Sequence, residues 1–257
     1  MTKGKKKLRT SNSGQLLIVA ALAIAILISS TTVYVYELSR ETNSSNAASI
    51  ADLILALKQN TRNTMISSLA NVSNGGERAV LTANLNTLAQ VVRSLTHFGT
   101  LVLDFATLND SNYDSGIWLS WNTSDMGTSS TDANFTLRVY GEETTIAANY
   151  EINVTTKTTI AGFYVTLGGS EKLVNLTCSV FNEEKSALAK NITLLYQDSG
   201  SWVNVDSSNN LSVIDRGNGT YSISFTIQTT AAIIPVSAHT YDMRNIFVQA
   251  NTTCSAA

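Results

Sequence analysis

Residues 215–227, DRGNGTYSISFTI, hold the pattern that decides the fold. From Tyr221 onward every second residue is apolar, and the residues between them are Ser or Thr. A period of two places these two sets on opposite faces of a β-strand. The same alternation recurs in VNLTCSV (174–180), and turn signals rather than helical stretches separate such runs. The chain from Gly116 onward is therefore predicted to form short antiparallel strands packed as a sandwich.

Residues 38–108 show a helical spacing of apolar residues instead. Apolar side chains recur every three or four positions, and Asn74-Gly75-Gly76 marks a chain reversal. We predict a helical hairpin whose apolar stripes pack against each other and against the β region. The alternative is a coiled coil with another subunit, which would require a longer run of heptads than this stretch contains.

The predicted fold class is α+β, with an N-terminal transmembrane helix, a helical hairpin and then an immunoglobulin-like antiparallel β-sandwich. The predicted domains are a basic cytoplasmic head (1–14), a transmembrane signal anchor (15–37), the helical hairpin (38–108), a β region (109–168) and the immunoglobulin-like sandwich (169–257).

The N-terminus joins a basic cluster to a long apolar run. The cluster holds five basic and no acidic side chains: Lys3, Lys5, Lys6, Lys7 and Arg9. Residues 16–36 contain no charge, Pro or Gly, and as a helix they would span about 31 Å, close to the hydrocarbon thickness of a bilayer. Basic residues beside such a run are a topology signal rather than a nucleic-acid arm. We predict a plasma-membrane protein that crosses once, with its N-terminus cytoplasmic and the bulk of the chain extracellular.

Two alternatives for this segment stay open. A secretory signal cleaved near Ile28-Ser29-Ser30 is disfavoured, because its apolar region is normally only about 7–15 residues long. The stretch SNSGQLLIVAALAIAIL (11–27) resembles the N-terminus of archaeal type IV pilin and archaellin precursors. That resemblance implies cleavage between Gly14 and Gln15 and packing of the helix in a filament core.

Composition and sequons favour an extracellular surface. Only 14% of the residues are charged, whereas Ser and Thr number 30 and 32. Eleven Asn-x-Ser/Thr sequons are candidate glycosylation sites. They lie at Asn43, Asn71, Asn109, Asn122, Asn134, Asn153, Asn175, Asn191, Asn210, Asn218 and Asn251. On the strands, the alternation places each sequon Asn on the solvent face.

The two cysteines, Cys178 and Cys254, both belong to the inward phase of their strands. In an exported protein such a pair is predicted to form a disulfide, which would stabilise the fold by about 4 kcal/mol on the chain-entropy model. Two buried free thiols are the alternative.

No catalytic motif, phosphate loop or cofactor site appears in the sequence. A weak metal candidate is LNDSNYDSG (108–116), where Asp110, Asn112 and Asp114 alternate as calcium ligands do. An EF-hand would next require Gly and Glu where Ser115 and Trp121 stand. We therefore predict that the protein binds no metal or cofactor and is not an enzyme.

Over most of its length the order of parts resembles a group of archaeal cell-surface proteins with a pilin-like anchor. The segments that carry this resemblance include GQLLIVAAL (14–22), ANFTLRVYG (133–141) and GNGTYSISF (217–225). The group has no established activity, so the resemblance implies location and architecture only.

The predicted function is a non-enzymatic, single-pass cell-surface protein that presents a glycosylated β-sandwich for adhesion or envelope assembly. Its predicted partners are the membrane and other surface proteins or glycans, not nucleic acid. One alternative is a pilin-like filament subunit cleaved between Gly14 and Gln15. A further alternative is an extracellular hydrolase, for which paired acids such as Glu183 and Glu184 would be needed.

Overall fold

The structure, a computed structural model, describes Thr31 and residues 46–95, 100–140 and 145–257. The chain divides into two compact units, Met1–Asn60 and Thr61–Ala257. All of the described strands belong to the second unit.

Within residues 46–95 two helices precede the strands, α1 (Asn46–Ser73) and α2 (Ala79–Ser94). The turn between them passes through Gly75, whose φ of +92° is readily adopted only by glycine. Side chains of α2, including Leu81 and Leu85, are fully buried and the helix packs against the first strand. The amide of Asn84 on α2 donates to Ser68 Oγ on α1 over 2.9 Å, which ties the two helices together.

Twelve strands follow along the described chain. They are β1 (Thr100–Thr107), β2 (Ile117–Thr123), β3 (Met126–Tyr140), β4 (Thr145–Gly168), β5 (Glu171–Asn182), β6 (Lys185–Ser186), β7 (Ala189–Asp198), β8 (Ser201–Asn204), β9 (Ser212–Asp215), β10 (Thr220–Gln228), β11 (Ile234–Asp242) and β12 (Phe247–Ala256).

The strands form one sheet that is organised around β4, which is 24 residues long. The main path of the sheet runs β8-β7-β11-β12-β4-β5-β10-β9, while β1 and β2 join through β3. One edge of β4 pairs with β3 as far as Thr159 and then with β12, in parallel, at Phe163 and Tyr164. The other edge pairs with β5. Because β12 continues from the same edge as β3, the sheet is curled into a half-barrel.

The interior of the curl is an apolar core contributed by both arms of the sheet. Phe225 of β10 and Val174 of β5 face Val236 of β11 and Leu194 of β7 within one buried cluster. Facing arms with interdigitated side chains are compatible with a β-sandwich. Here, however, the two arms are continuous through the β12–β4 pair rather than separate sheets.

A cluster of ionised side chains, which we call the Arg244 cluster, lies at the rim of this core. It comprises Arg244, Asp242, Glu183 and Arg62. The Arg244 guanidinium contacts Asp242 Oδ2 at 2.8 Å and Glu183 Oε1 at 2.7 Å, and it also donates to the carbonyl of Thr155 at 3.0 Å. Arg62 contacts the other Glu183 oxygen at 3.0 Å. Asp242 is fully buried and accepts two further backbone N–H bonds, so its charge is well compensated.

The predicted α+β fold class is wrong, because the described chain is mostly β, with 58% strand and 22% helix. Part of the region predicted as helical, 38–108, forms strand β1. The reason lies in its pattern: Leu101 and Leu103 are buried while Val102 and Asp104 are not, which is a period of two. The predicted boundary between residues 168 and 169 falls at the turn between β4 and β5, and the sheet continues across it.

The predicted basic head (1–14) and, apart from Thr31, the predicted transmembrane anchor (15–37) lie outside the described residues. Across residues 46–95, 100–140 and 145–257, no helix has both the length and the apolar character that a membrane span requires. Helix α1 is long, but it carries Asp52, Lys58 and Arg62. This corrects the predicted fold class for the described residues, whose fold contains no transmembrane or signal-anchor helix.

Two adjacent substitutions test the role of the Arg244 cluster. Glu183 and Glu184 form the tight turn between β5 and β6 with φ values of 47° and 62°, which cost a non-glycine residue about 1–2 kcal/mol. We expect Glu184→Gly to raise the free energy of unfolding by about 0.5–1 kcal/mol, because it relieves this strain and Glu184 is exposed. Glu183→Gly relieves the same strain but leaves Arg62 and Arg244 without their shared carboxylate, so we expect it to lower that free energy by about 2–3 kcal/mol.

Denaturant unfolding of the two variants beside the parent protein measures both effects. Opposite signs at neighbouring positions are the expected result. Equal stabilisation by both glycines would show that the Glu183 ion pairs contribute nothing.

Candidate functional site

A groove of about 620 Å³ crosses the outer face of the sheet over β4, β5, β10 and β9. Two rows of directly paired residues form it. The first row holds Ala161, Thr177, Ser222 and Ile214, and the second holds Phe163, Asn175 and Ser224. Since these residues alternate with the buried core positions, the groove and the core lie on opposite faces of the same strands.

The groove has apolar ends and a polar floor. Phe163 at one end is 45% exposed and Ile214 at the other is 51% exposed. The strands between them present only short Asn, Thr and Ser side chains, which is why the surface is recessed there. At the β9 side, Arg216 Nε donates to Ser222 Oγ over 2.9 Å. Binding sites for small molecules are typically about 300–1,000 Å³ with apolar walls and a few placed polar groups. An apolar wall beside hydroxyl and amide groups suits a saccharide, which has apolar ring faces and polar edges.

The sequons lie on the solvent side of the fold wherever the structure describes their asparagine side chains. The exposed ones are Asn71, Asn109, Asn134, Asn153, Asn191, Asn210 and Asn218, and the half-buried ones are Asn175 and Asn251. Asn43 and the side chain of Asn122 lie outside the described part of the chain.

The sequon amides differ in their hydrogen bonding. The Asn153 amide donates to Asp132 Oδ2 at 2.9 Å, that of Asn210 to Thr226 Oγ1 at 3.0 Å and that of Asn251 to the Trp121 carbonyl at 3.1 Å. A sugar on one of these nitrogens would have to share or replace such a bond. Asn175 is different in its setting, because it forms part of the groove floor directly opposite Phe163.

Cys178 and Cys254 are both buried, and both are free thiols in the structure. They belong to the same apolar cluster, on strands that pair with opposite edges of β4. Burial raises the pKa of Cys178 to about 12. Burial, with a smaller contribution from the charge of Asp125, raises the pKa of Cys254 to about 11. The disulfide between them remains a prediction.

The weak metal candidate forms a turn rather than a cluster of converging ligands. Asp110 Oδ1 accepts the backbone N–H groups of Asn112 at 2.7 Å and Tyr113 at 2.9 Å, and these bonds, that from Tyr113 foremost, lower the pKa of Asp110. Asp114 faces Arg78 at 3.5 Å. Among the residues that the structure describes, no three His, Cys, Asp or Glu side chains are grouped so that they could hold a metal ion.

Glu183 and Glu184, the paired acids of the hydrolase alternative, have different surroundings. Glu183 is bound to two arginines, whereas Glu184 is exposed in the turn. The residues of the N-terminal topology signal and of the candidate cleavage site, Gly14 and Gln15, lie outside the described residues.

The groove was not predicted from the sequence, although one signal for it was present. AGFYVTL (161–167) has apolar side chains on both faces of the strand, with Phe163, Val165 and Leu167 exposed and Tyr164 buried. A strand that is apolar on its solvent face indicates a surface with a binding role. The register that aligns Phe163 with Asn175 was not readable, because it depends on pairing between separate strands.

Comparison with protein-family models gives no match for this chain, and comparison with curated proteins gives none either.

The two thiols make a testable contribution to the pH dependence of stability. With reductant present, the thiols titrate near pH 8.5 in the unfolded state but near pH 11–12 in the folded state. The unfolded state therefore loses its thiol protons first, so stability is full below about pH 8 and falls as the pH rises towards 11.

Denaturant unfolding between pH 7 and pH 10, with and without reductant, measures this decline. The variant Cys178→Ala/Cys254→Ala is the control, and it should lose the thiol-dependent part of the slope. If, under reductant, the free energy of unfolding falls with pH equally in the parent and in the double variant, the thiols do not cause the decline. Absence of the decline only without reductant would demonstrate the disulfide.

Proposed function

We propose that the protein is a non-enzymatic, glycosylated cell-surface protein whose β module takes part in adhesion or envelope assembly. Its partners in this proposal are glycans or other surface proteins, and the strands face the outside of the cell.

The observation that carries the proposal is the distribution of the sequons over the fold. Nine sequon asparagines have described side chains, and none of them is buried, although four of them lie on β3, β4, β5 and β12 between two buried residues. A surface in which Ser, Thr and Asn replace most charged residues is also suited to carry glycans. The groove adds a recessed surface of mixed polarity to the solvent side of the sheet.

The mass of the native protein from its own cells tests this proposal. We expect an intact mass above that of the chain, which falls after chemical deglycosylation, with the excess assigned by peptide mass spectrometry to sequon asparagines. A native mass equal to that of the unmodified chain would remove glycosylation from the proposal.

A matched pair of variants makes the test specific. Thr220→Ala removes the sequon at Asn218 but keeps the asparagine, and it should lower the mass by one glycan. Ser222→Ala removes a hydroxyl from the same strand, outside any sequon, and should leave the glycan mass unchanged. The N-terminal residue found in the same measurement bears on the second candidate, since a start at Gln15 would favour the filament subunit.

A further inference from the structure

We infer that Asn175 is an N-glycosylation site whose first sugar is held inside the groove, packed against Phe163, so that the glycan is part of the folded surface. This inference rests on the proposed function, because it requires an exported, glycosylated chain.

The geometry of the sequon leads to this inference. Asn175 and Thr177 lie on the same outer face of β5, as the two-residue spacing of a sequon on a strand requires. Thr177 is exposed, and Asn175 is half-buried on the floor of the groove. A sugar on the Asn175 amide would therefore begin inside the groove instead of projecting from a loop, as one on Asn218 would.

The position of Phe163 supplies the contact. It is paired directly with Asn175 across β4 and β5, and opposed side chains on a sheet face lie about 4.5–5.5 Å apart at their Cβ atoms. Phe163 is 45% exposed, so much of its ring remains available to a ligand. A pyranose ring next to Asn175 would cover this apolar surface, while Ser224 on the other side of Asn175 offers a hydroxyl.

Covalent attachment explains why a shallow groove is sufficient. A sugar linked to Asn175 has an effective concentration in the groove of about millimolar order or above, so a weak contact is populated without high intrinsic affinity. The groove would then be filled by the glycan of the chain itself, and a free saccharide would be excluded from it.

The chemistry is a glycosyl transfer without change of oxidation state. The Asn175 side-chain nitrogen loses one proton and forms a bond to the anomeric carbon of a lipid-linked sugar phosphate donor. The bond from that carbon to the donor's phosphate oxygen breaks, and the lipid phosphate leaves with the electron pair and takes up a proton. A separate membrane-bound transferase supplies the catalysis.

A double-mutant cycle tests the inference with the full chain. The four proteins are the parent, Phe163→Ala, Thr177→Ala and the double variant, each made in its own cells and in a bacterial host without N-glycosylation. Thr177→Ala keeps Asn175 but removes its glycan. In the glycosylated set we expect Thr177→Ala to lower the Tm by about 2–4 °C in the parent and by less than about 1 °C in Phe163→Ala. In the proteins made in the bacterial host, the effects of the two substitutions on the Tm should be additive.

Tyr140→Ala is the matched control, because Tyr140 is 42% exposed on the same sheet but lies outside the groove. In that background the full effect of Thr177→Ala should persist. Phe163→Thr, which keeps a strand-forming residue, repeats the cycle independently of any loss of strand propensity.

The outcomes separate this inference from the proposed function. The packing of the glycan against Phe163 would be overturned if Thr177→Ala lowered the Tm equally in the parent and in Phe163→Ala. It would also be overturned if the two substitutions showed the same coupling in Tm in both hosts. An unmodified Asn175 beside glycans at other sequons would overturn this inference and leave the proposed function in place. Absence of glycan from every sequon would overturn both.

Discussion

The guanidinium of Arg244 is the point at which separate segments of the fold are joined. It binds the Asp242 carboxylate at the end of β11, the Glu183 carboxylate of the β5–β6 turn and a carbonyl of β4. Arg62 of α1 completes the cluster. Burying Asp242 alone would be strongly unfavourable, and its hydrogen bonds and charge partner offset that cost only in this arrangement. The cluster therefore fixes how the two turns meet β4 rather than simply adding stability.

Strand β4 also joins separate segments of the fold, because it belongs to both parts of the curled sheet. Its first part pairs with β3 on the side where the helices pack, and its last part pairs with β5 and β12 around the apolar core. The outer face of this last part carries Phe163 and borders the groove. The groove is thus supported by the most extensively paired strand of the described chain, which favours a rigid surface over an adaptable loop.

The local structure was largely readable from the sequence, whereas the long-range structure was not. Alternation in TYSISFTI identified β10, and the same rule placed the sequon asparagines on solvent faces. The chain from Gly116 onward was predicted to form short strands, but Thr145–Gly168 forms a single strand of 24 residues, β4. Its parallel pairing with β12, the position of Arg244 and the Phe163–Asn175 register all depend on contacts between distant segments, which local periodicity does not specify. TLVLDFAT was assigned to a helix because a short apolar run fits either period.

Thr61–Ala257 is one compact unit, and we expect the Arg244 cluster and β4 to make it unfold cooperatively and to hold the groove in a fixed shape. Native-state hydrogen exchange over a denaturant series tests it most directly, by comparing the amides of Phe135 in β3 and Phe225 in β10, both of which are buried. We predict that both amides open with the same free energy and the same denaturant dependence. Free energies of opening that differ by more than about 2 kcal/mol would show that the two parts of the sheet unfold separately and are not one cooperative unit.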